Sequence, residues 1–296
     1  MTHSSAGIIC FGEILWDFLP DGLYPGGAPF NVAYHLHRLG QCAHVVSAVG
    51  RDLLGDELLR RLRHWGLPAD GITRHGDLPT GYVRAALGAD GDARYEIAAN
   101  VAWDQILVDE ALGQTAATGR AVVFGSLAQR SVSNRAALDR LLTLLPDDAL
   151  RVFDVNLRPP HDDLELVRTL ARHATLLKLN AAEAARLAAG AAEEPGREET
   201  DARALARLTG CAIVCVTAGA RGAGLLRADR WLWEPGRPVV VADTVGAGDA
   251  FLASLVTHLL NSRISGGESL ARACRLGEWV ASQRGATPGY GPSTPV

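Results

Sequence analysis

Asp243-Thr244-Val245-Gly246-Ala247-Gly248-Asp249-Ala250-Phe251 sets two glycines around one small residue, directly ahead of an apolar segment near Ala250 to Leu260 that reads as a helix. Such a turn lets successive backbone N–H groups converge on an anion, and the dipole of the following helix favours negative charge at the same place. An aspartate there would repel a phosphate that was merely bound. It suits a carboxylate that takes the proton of an attacking hydroxyl. The same residues would also serve as a glycine turn closed by an N-capping aspartate.

Working outward from that turn, short apolar runs alternate with segments of helical period. Ile8 to Phe11, His44 to Ser47, Ala121 to Phe124, Val152-Phe153, Leu176 to Leu179 and Ala212 to Val216 read as buried strands. Between them, Val32, Leu36 and Leu39 share a helical face. So do Leu54, Leu58, Leu62 and Trp65, and further on Leu138, Leu141, Leu142 and Leu145. A last helical segment runs near Ser269 to Gln283. Continuously apolar strands alternating with helices predict an α/β fold whose parallel sheet is covered on both faces. Thr80 to Ile97 breaks the rhythm: it alternates in period two around a Gly88–Gly91 turn and predicts a β-hairpin.

The chain has 296 residues, a net charge of −4 and no run of like charges. Arg60, Arg61 and Arg63 form its densest basic stretch, on an amphipathic helix. Nucleic acid is therefore not an expected partner. The only lysine, Lys178, stands among 29 basic residues, a skew that reads as composition. Five scattered cysteines (Cys10, Cys42, Cys211, Cys215 and Cys274) suit free thiols in a reducing compartment. Met1 to Gly7 lacks a basic n-region, and no apolar run has the ~18 residues of a membrane span. The expected location is cytoplasmic, with no membrane partner. No Walker A segment occurs, and the turn after the first strand lacks Gly-x-Gly-x-x-Gly, which argues against P-loop and dinucleotide-binding chemistry.

Val241 to Phe251 resembles the C-terminal signature of the ribokinase-like sugar kinases, the PfkB family. Gly26-Gly27-Ala28-Pro29-Phe30-Asn31-Val32-Ala33, with Leu39-Gly40, is similar to the family's N-terminal signature. Asp154-Val155-Asn156-Leu157-Arg158-Pro159, Lys178-Leu179-Asn180 with Glu183, and Val216-Thr217-Ala218-Gly219 with Gly222 resemble its remaining segments, in order. The resemblance runs from about residue 8 to about residue 290. It implies a single three-layer domain over 1–296: a mostly parallel central sheet between helices, with a small β-sheet lid from about 13–25 and 80–100.

The resemblance also implies roles. Asp249 would be the catalytic base, and Gly246, Ala247 and Gly248 the anion hole for the transferred phosphoryl group. Asp17, Gly26, Gly27, Asn31 and Arg158 would hold the sugar. Lys178, Asn180, Thr217, Gly219 and Gly222 would line the ATP site. Asn180 and Glu183 would organise Mg²⁺ through water, and Asp243, with the Gly285 to Gly289 turn, a monovalent cation such as K⁺. Read without the family, Asn31 is equally a helix cap, Asn180 and Glu183 a cap with a surface carboxylate, and Lys178 a solvated or paired charge. Trp16, Trp103 and Tyr95 suit either a stacking platform or plain packing. None of the nine histidines has ligand spacing.

The implied reaction is ATP-dependent phosphorylation of a small sugar at a primary hydroxyl. Gly12-Glu13-Ile14-Leu15-Trp16-Asp17 is most like bacterial fructokinases, while Ala99-Asn100-Val101-Ala102-Trp103-Asp104 departs from their best-defined lids. A 2-keto-3-deoxygluconate kinase is the nearest alternative, with Arg158, Arg84 or Arg94 as carboxylate clamp. A nucleoside kinase with Phe30 and Trp103 around the base comes next, and a non-catalytic sugar-binding regulator last. A lid edge is a place where a homodimer could pair.

Overall fold

The computed structural model describes residues 7–19, 22–87 and 93–296, with backbone alone at 85–87 and 93–95. In chain order the elements are β1 (Ile8–Phe11), β2 (Leu15–Leu19), β3 (Gly22–Gly26), α1 (Ala28–Arg38), β4 (Ala43–Gly50), α2 (Leu53–Trp65), β5 (Ile72–His75), β6 (Gly81–Leu87) and β7 (Ala93–Ile97). There follow α3 (Glu110–Ala116), β8 (Ala121–Gly125), α4 (Val132–Leu144), β9 (Leu150–Asp154), α5 (Leu164–Ala171), β10 (Leu176–Asn180), α6 (Ala181–Ala189) and α7 (Glu198–Thr209). The chain closes with β11 (Ile213–Thr217), β12 (Gly222–Arg227), β13 (Arg230–Pro235), α8 (Ala247–Leu259) and α9 (Gly266–Ala281).

Nine strands form the main sheet in the order β13-β12-β11-β10-β9-β8-β1-β4-β5. All pair in parallel except β12 and β13, which return antiparallel at one edge. The period of two along each strand builds the layers. Ile8 and Cys10 face a core completed by α1, α2, α8 and α9, whereas Ile9 and Phe11 face the core of α3 to α7. Strands buried on both sides must be apolar throughout, which is why the sequence displays them so plainly.

The second sheet has the order β3-β2-β6-β7. Its hairpin of β6 and β7 matches the expected one, although the Gly88–Gly91 turn and the side chains of Arg94 and Tyr95 lie outside the described residues. Leu15, Val83 and Ile97 pack this sheet onto Val101, Trp103, Leu127 and Ala128. Arg130 fixes the strap that leaves β7. Its guanidinium stacks 4.0 Å from the Trp103 ring, donates to both Asp104 oxygens at 2.8 and 2.9 Å, and donates to the Ala98 carbonyl at 2.6 Å. Trp16 and Trp103 are both fully buried, and Trp16 Nε1 donates to the Leu54 carbonyl at 3.0 Å. Neither is a platform open to a sugar.

Candidate active site

In a parallel sheet the strands end together, and ligands gather where they end. Here β1, β8, β9, β10 and β11 finish at Phe11, Gly125, Asp154, Asn180 and Thr217 along one rim. The register sets Lys178 of β10 directly beside Asp154 of β9, both on the face that carries α8. Lys178 Nζ donates to the two Asp154 oxygens at 2.9 and 3.0 Å, and both side chains are buried. Burial pulls the lysine's pKa down, but Asp154, Asp249 and Glu183 outweigh it and leave it raised. Lys178 is thus a buried ion pair under the start of α8, since a Cβ on Gly248 would lie 3.3 Å from its Nζ. Its position, and not composition alone, accounts for this one lysine.

α8 opens at Gly246, whose φ of 77° favours glycine. A Cβ there would also sit 2.5 Å from Ala286 Cα, so the turn and the 285–290 segment pack backbone to backbone. Asp243 clasps the same two segments: its oxygens accept from Val245 N–H and Gly285 N–H, each at 3.0 Å. His35, buried in α1, holds the far side, with Nε2 2.9 Å from the Ala286 carbonyl and Nδ1 2.9 Å from the Tyr290 hydroxyl. Burial lowers its pKa to about 4. The neutral ring therefore donates from Nε2 and accepts from Tyr290. The sequence nominated no histidine, because this role depends on a contact 251 residues away.

The two glycine motifs meet across α1 and α8. Asn31 Nδ2 donates to Asp249 Oδ2 at 2.8 Å. Asn31 Oδ1 is buried and finds no partner among the described residues. Gly27 has φ 112°, and a Cβ on it would meet the Glu13 carbonyl at 2.3 Å; on Gly26 it would meet Asp17 Oδ2 at 2.2 Å. Glu13, also unanticipated, accepts from Ala28 N–H through Oε1 at 3.2 Å and buries Oε2 without a partner among the described residues.

Asp249 lies close enough to Glu13 to raise it, and both share a neighbour with Asp17 in Arg158. Burial raises Glu13 to about 7 against its own and Ala28's backbone N–H groups, and raises Asp17 to about 6. Burial, then Asp154, raises Asp249 to about 6, against the pull of Lys178, Asn31 and Arg158. The exposed Arg158 lies close enough to lower all three.

On the other side of the rim, Asn180 caps α6. Its side chain accepts from Glu183 N–H at 2.8 Å, while Glu183 accepts from Asn180 N–H at 2.9 Å and from Leu157 N–H at 2.7 Å. This is a capping box. Its carboxylate is buried, where the cap reading expected a surface group; burial raises the Glu183 pKa. Thr217 and the exposed Gly219 stand at the end of β11. Gly222 is buried, at φ 120°, against the Glu234 carbonyl, and shapes the loop from beneath.

Residues 21–295 match the pfkB family carbohydrate kinase profile. Among curated relatives, fructokinase-2 of Solanum habrochaites is 27% identical over 316 residues, covering 97% of this chain and 94% of the relative. Among solved structures, a fructokinase with bound ATP from Xylella fastidiosa superposes with a TM-score of 0.82 at 22% identity, covering 96% of this chain and 94% of that one. Aminoimidazole riboside kinase from Salmonella enterica, complexed with aminoimidazole riboside and an ATP analogue, gives 0.77 at 24%, covering 95% and 96%. The fold is ribokinase-like, and the chain belongs to the pfkB family of carbohydrate kinases.

Proposed function

We propose that the chain is a fructokinase that transfers the γ-phosphoryl group of ATP to a primary hydroxyl, giving fructose 6-phosphate and ADP. The observation that carries this reading is the Asn31–Asp249 hydrogen bond at the N-terminus of α8. It joins the group best suited to take a hydroxyl proton to the element best suited to hold a hydroxyl. Asp17 and the unpartnered oxygens of Asn31 and Glu13 would bind further hydroxyls, since buried polar atoms without partners are costly until a ligand supplies them.

As the hydroxyl oxygen bonds to the γ-phosphorus, its proton passes to Asp249, and the bond to ADP breaks. The N–H groups of Gly246 and Gly248 neutralise the charge on the phosphoryl oxygens, joined by that of Ala247 once it leaves the Thr244 carbonyl, to which it donates at 3.3 Å. Thr217 and Gly219 would border the nucleotide. Lys178 acts through Asp154, as a positioning residue beneath the helix start. Both Glu183 oxygens accept backbone N–H groups. That fits Mg²⁺ arriving with ATP and meeting Asn180 and Glu183 through water. Bound there, Mg²⁺ would neutralise phosphate charge. Asp243 would build a K⁺ loop as the clasp between its two turns, leaving backbone carbonyls as ligands. The small sheet would close over the sugar and keep water from the phosphoryl group.

The rivals lose support on particular residues. Arg84 pairs with Phe18 in the sheet register, on the face opposite Asp17, and its guanidinium stacks on Tyr82 at 4.9 Å. That placement turns Arg84 away from Asp17 and leaves Arg158, near Asp17 and Asp249, as the clamp a sugar-acid kinase would use. Phe30 and Trp103 are both buried and cannot flank a nucleobase. ADP release measured over fructose, 2-keto-3-deoxygluconate, ribose, glucose and adenosine should favour fructose; preference for another sugar would rename the substrate and keep the kinase.

The pH profile is a separate test. A carboxyl whose pKa is raised stays protonated up to that pH and cannot accept a proton below it. With Asp249 and Asp17 both near 6, kcat/KM should fall as the pH drops through about 6, with a limiting slope steeper than one proton. A flat profile down to pH ~5 would count against Asp249 as base.

A further inference from the structure

We propose that two copies of the chain pair through the free edge of β13, antiparallel and centred on Leu232. β13 ends the main sheet, with β12 on its inner side. Among the described residues no backbone group outside β12 bonds to Arg230–Pro235.

The hairpin geometry says which groups are free. Ala228 and Asp229, at φ 48° and 60°, form a two-residue turn between Arg227 and Arg230. In such hairpins the flanking pair is hydrogen-bonded, and bonding then alternates along the ladder. Arg230, Leu232 and Glu234 therefore bond inward to β12. The N–H and C=O groups of Trp231 and Trp233 face outward. Pro235, also outward, has no N–H and ends the usable edge.

One two-fold register satisfies both outward residues at once. It sets Trp231 opposite Trp233 of the second copy, so that each pair exchanges its N–H and C=O groups. The same register sets Leu232 opposite itself and Arg230 opposite Glu234, twice. A shift of two residues in either direction puts Arg230 opposite Leu232, or Leu232 opposite Glu234, and removes both charge pairs.

The side chains suit this arrangement. Trp231 and Trp233 stack on one face at 6.3 Å, and Trp233 is 39% exposed. Arg230 is exposed on the other face. Glu234 shares Arg237, which has a second carboxylate in Glu278 at 3.1 Å, so Glu234 can also receive an arginine from the partner. Edges that stay single are commonly blunted by lysine or inward charge; here two tryptophans occupy the open positions. A contact of this size lies at the small end of stable interfaces, so association in the micromolar range is expected. The assembly closes as an isologous dimer and grows no further.

Sedimentation of the full chain across the micromolar range tests this. The wild type should pass from monomer to dimer. Arg230→Glu and Glu234→Arg should each remain monomeric, since each sets like charges opposite one another twice. An equimolar mixture of the two variants should dimerise again, because each then meets its opposite. Unchanged circular dichroism and thermal melting would show both variants folded, and neither residue belongs to the active site. A wild type that stays monomeric, a dimer that survives both single changes, or a mixture that stays monomeric would each overturn the proposal.

Discussion

Asp249→Asn should lower turnover by roughly 10²- to 10⁴-fold, the usual contribution of a general base, while binding of Mg-ATP stays close to wild type. The substitution keeps the shape and, with a turn of the amide, a hydrogen bond to Asn31. It removes only the ability to take a proton. A second readout follows from electrostatics. Burial and the neighbouring Asp154 raise the Asp249 pKa, so its ionised form is disfavoured in the fold. A group of that kind contributes stability while protonated and loses it as the pH rises through its folded pKa. At pH values above 6 the neutral asparagine should therefore raise the melting temperature slightly as activity collapses. Loss of both activity and stability would point to a damaged fold; near-normal turnover would remove Asp249 from the chemistry.

Lys178→Met carries the other large effect. The lysine is the buried cation between Asp154 and the start of α8, and its removal leaves Asp154 charged and unpaired in the core. Breaking a buried pair from one side costs about 3–5 kcal/mol, and the melting temperature should fall by roughly 10 °C. The unpaired Asp154 would also push the Asp249 pKa further up, so the acid limb of any remaining activity should move to higher pH. Lys178→Met combined with Asp154→Leu removes both charges and should regain most of the stability, because an apolar pair of similar size substitutes well for a buried ion pair. Calorimetry of the single and double variants separates the cost of an unpaired charge from the loss of a contact. Equal destabilisation in both would contradict the account.

The parts of this fold that could be read directly are those in which one strand or one turn carries the whole signal. β1 is apolar at all four positions because two different cores claim alternate residues, and the glycine turn before α8 announces itself by spacing alone. Other features depend on partners far along the chain. Asp154 opens the Asp154-Val155-Asn156-Leu157-Arg158-Pro159 segment, yet its meaning needs the β9–β10 register that sets it beside Lys178. Glu13 and His35 matter through the distant Asp249 and an Ala286 carbonyl, neither of which leaves a local pattern. The β12–β13 hairpin is hard to see for a different reason. Its turn is Ala228-Asp229, two residues in a left-handed conformation that Asn-Gly or Asp-Gly would normally advertise. Trp16 and Trp103 show the limit of residue type: an aromatic near a site serves packing or stacking equally well until burial settles which.

The most direct test of the central claim is the balance of a single reaction. ADP and phosphorylated sugar should be quantified together, by coupled assay and phosphorus NMR, with Mg-ATP in the presence and absence of fructose. The account predicts that ADP forms only when sugar is present, in equal amount to a phosphate ester on a primary carbon. ADP released at the same rate without sugar, or a phosphate ester on a ring-carbon hydroxyl, would contradict it.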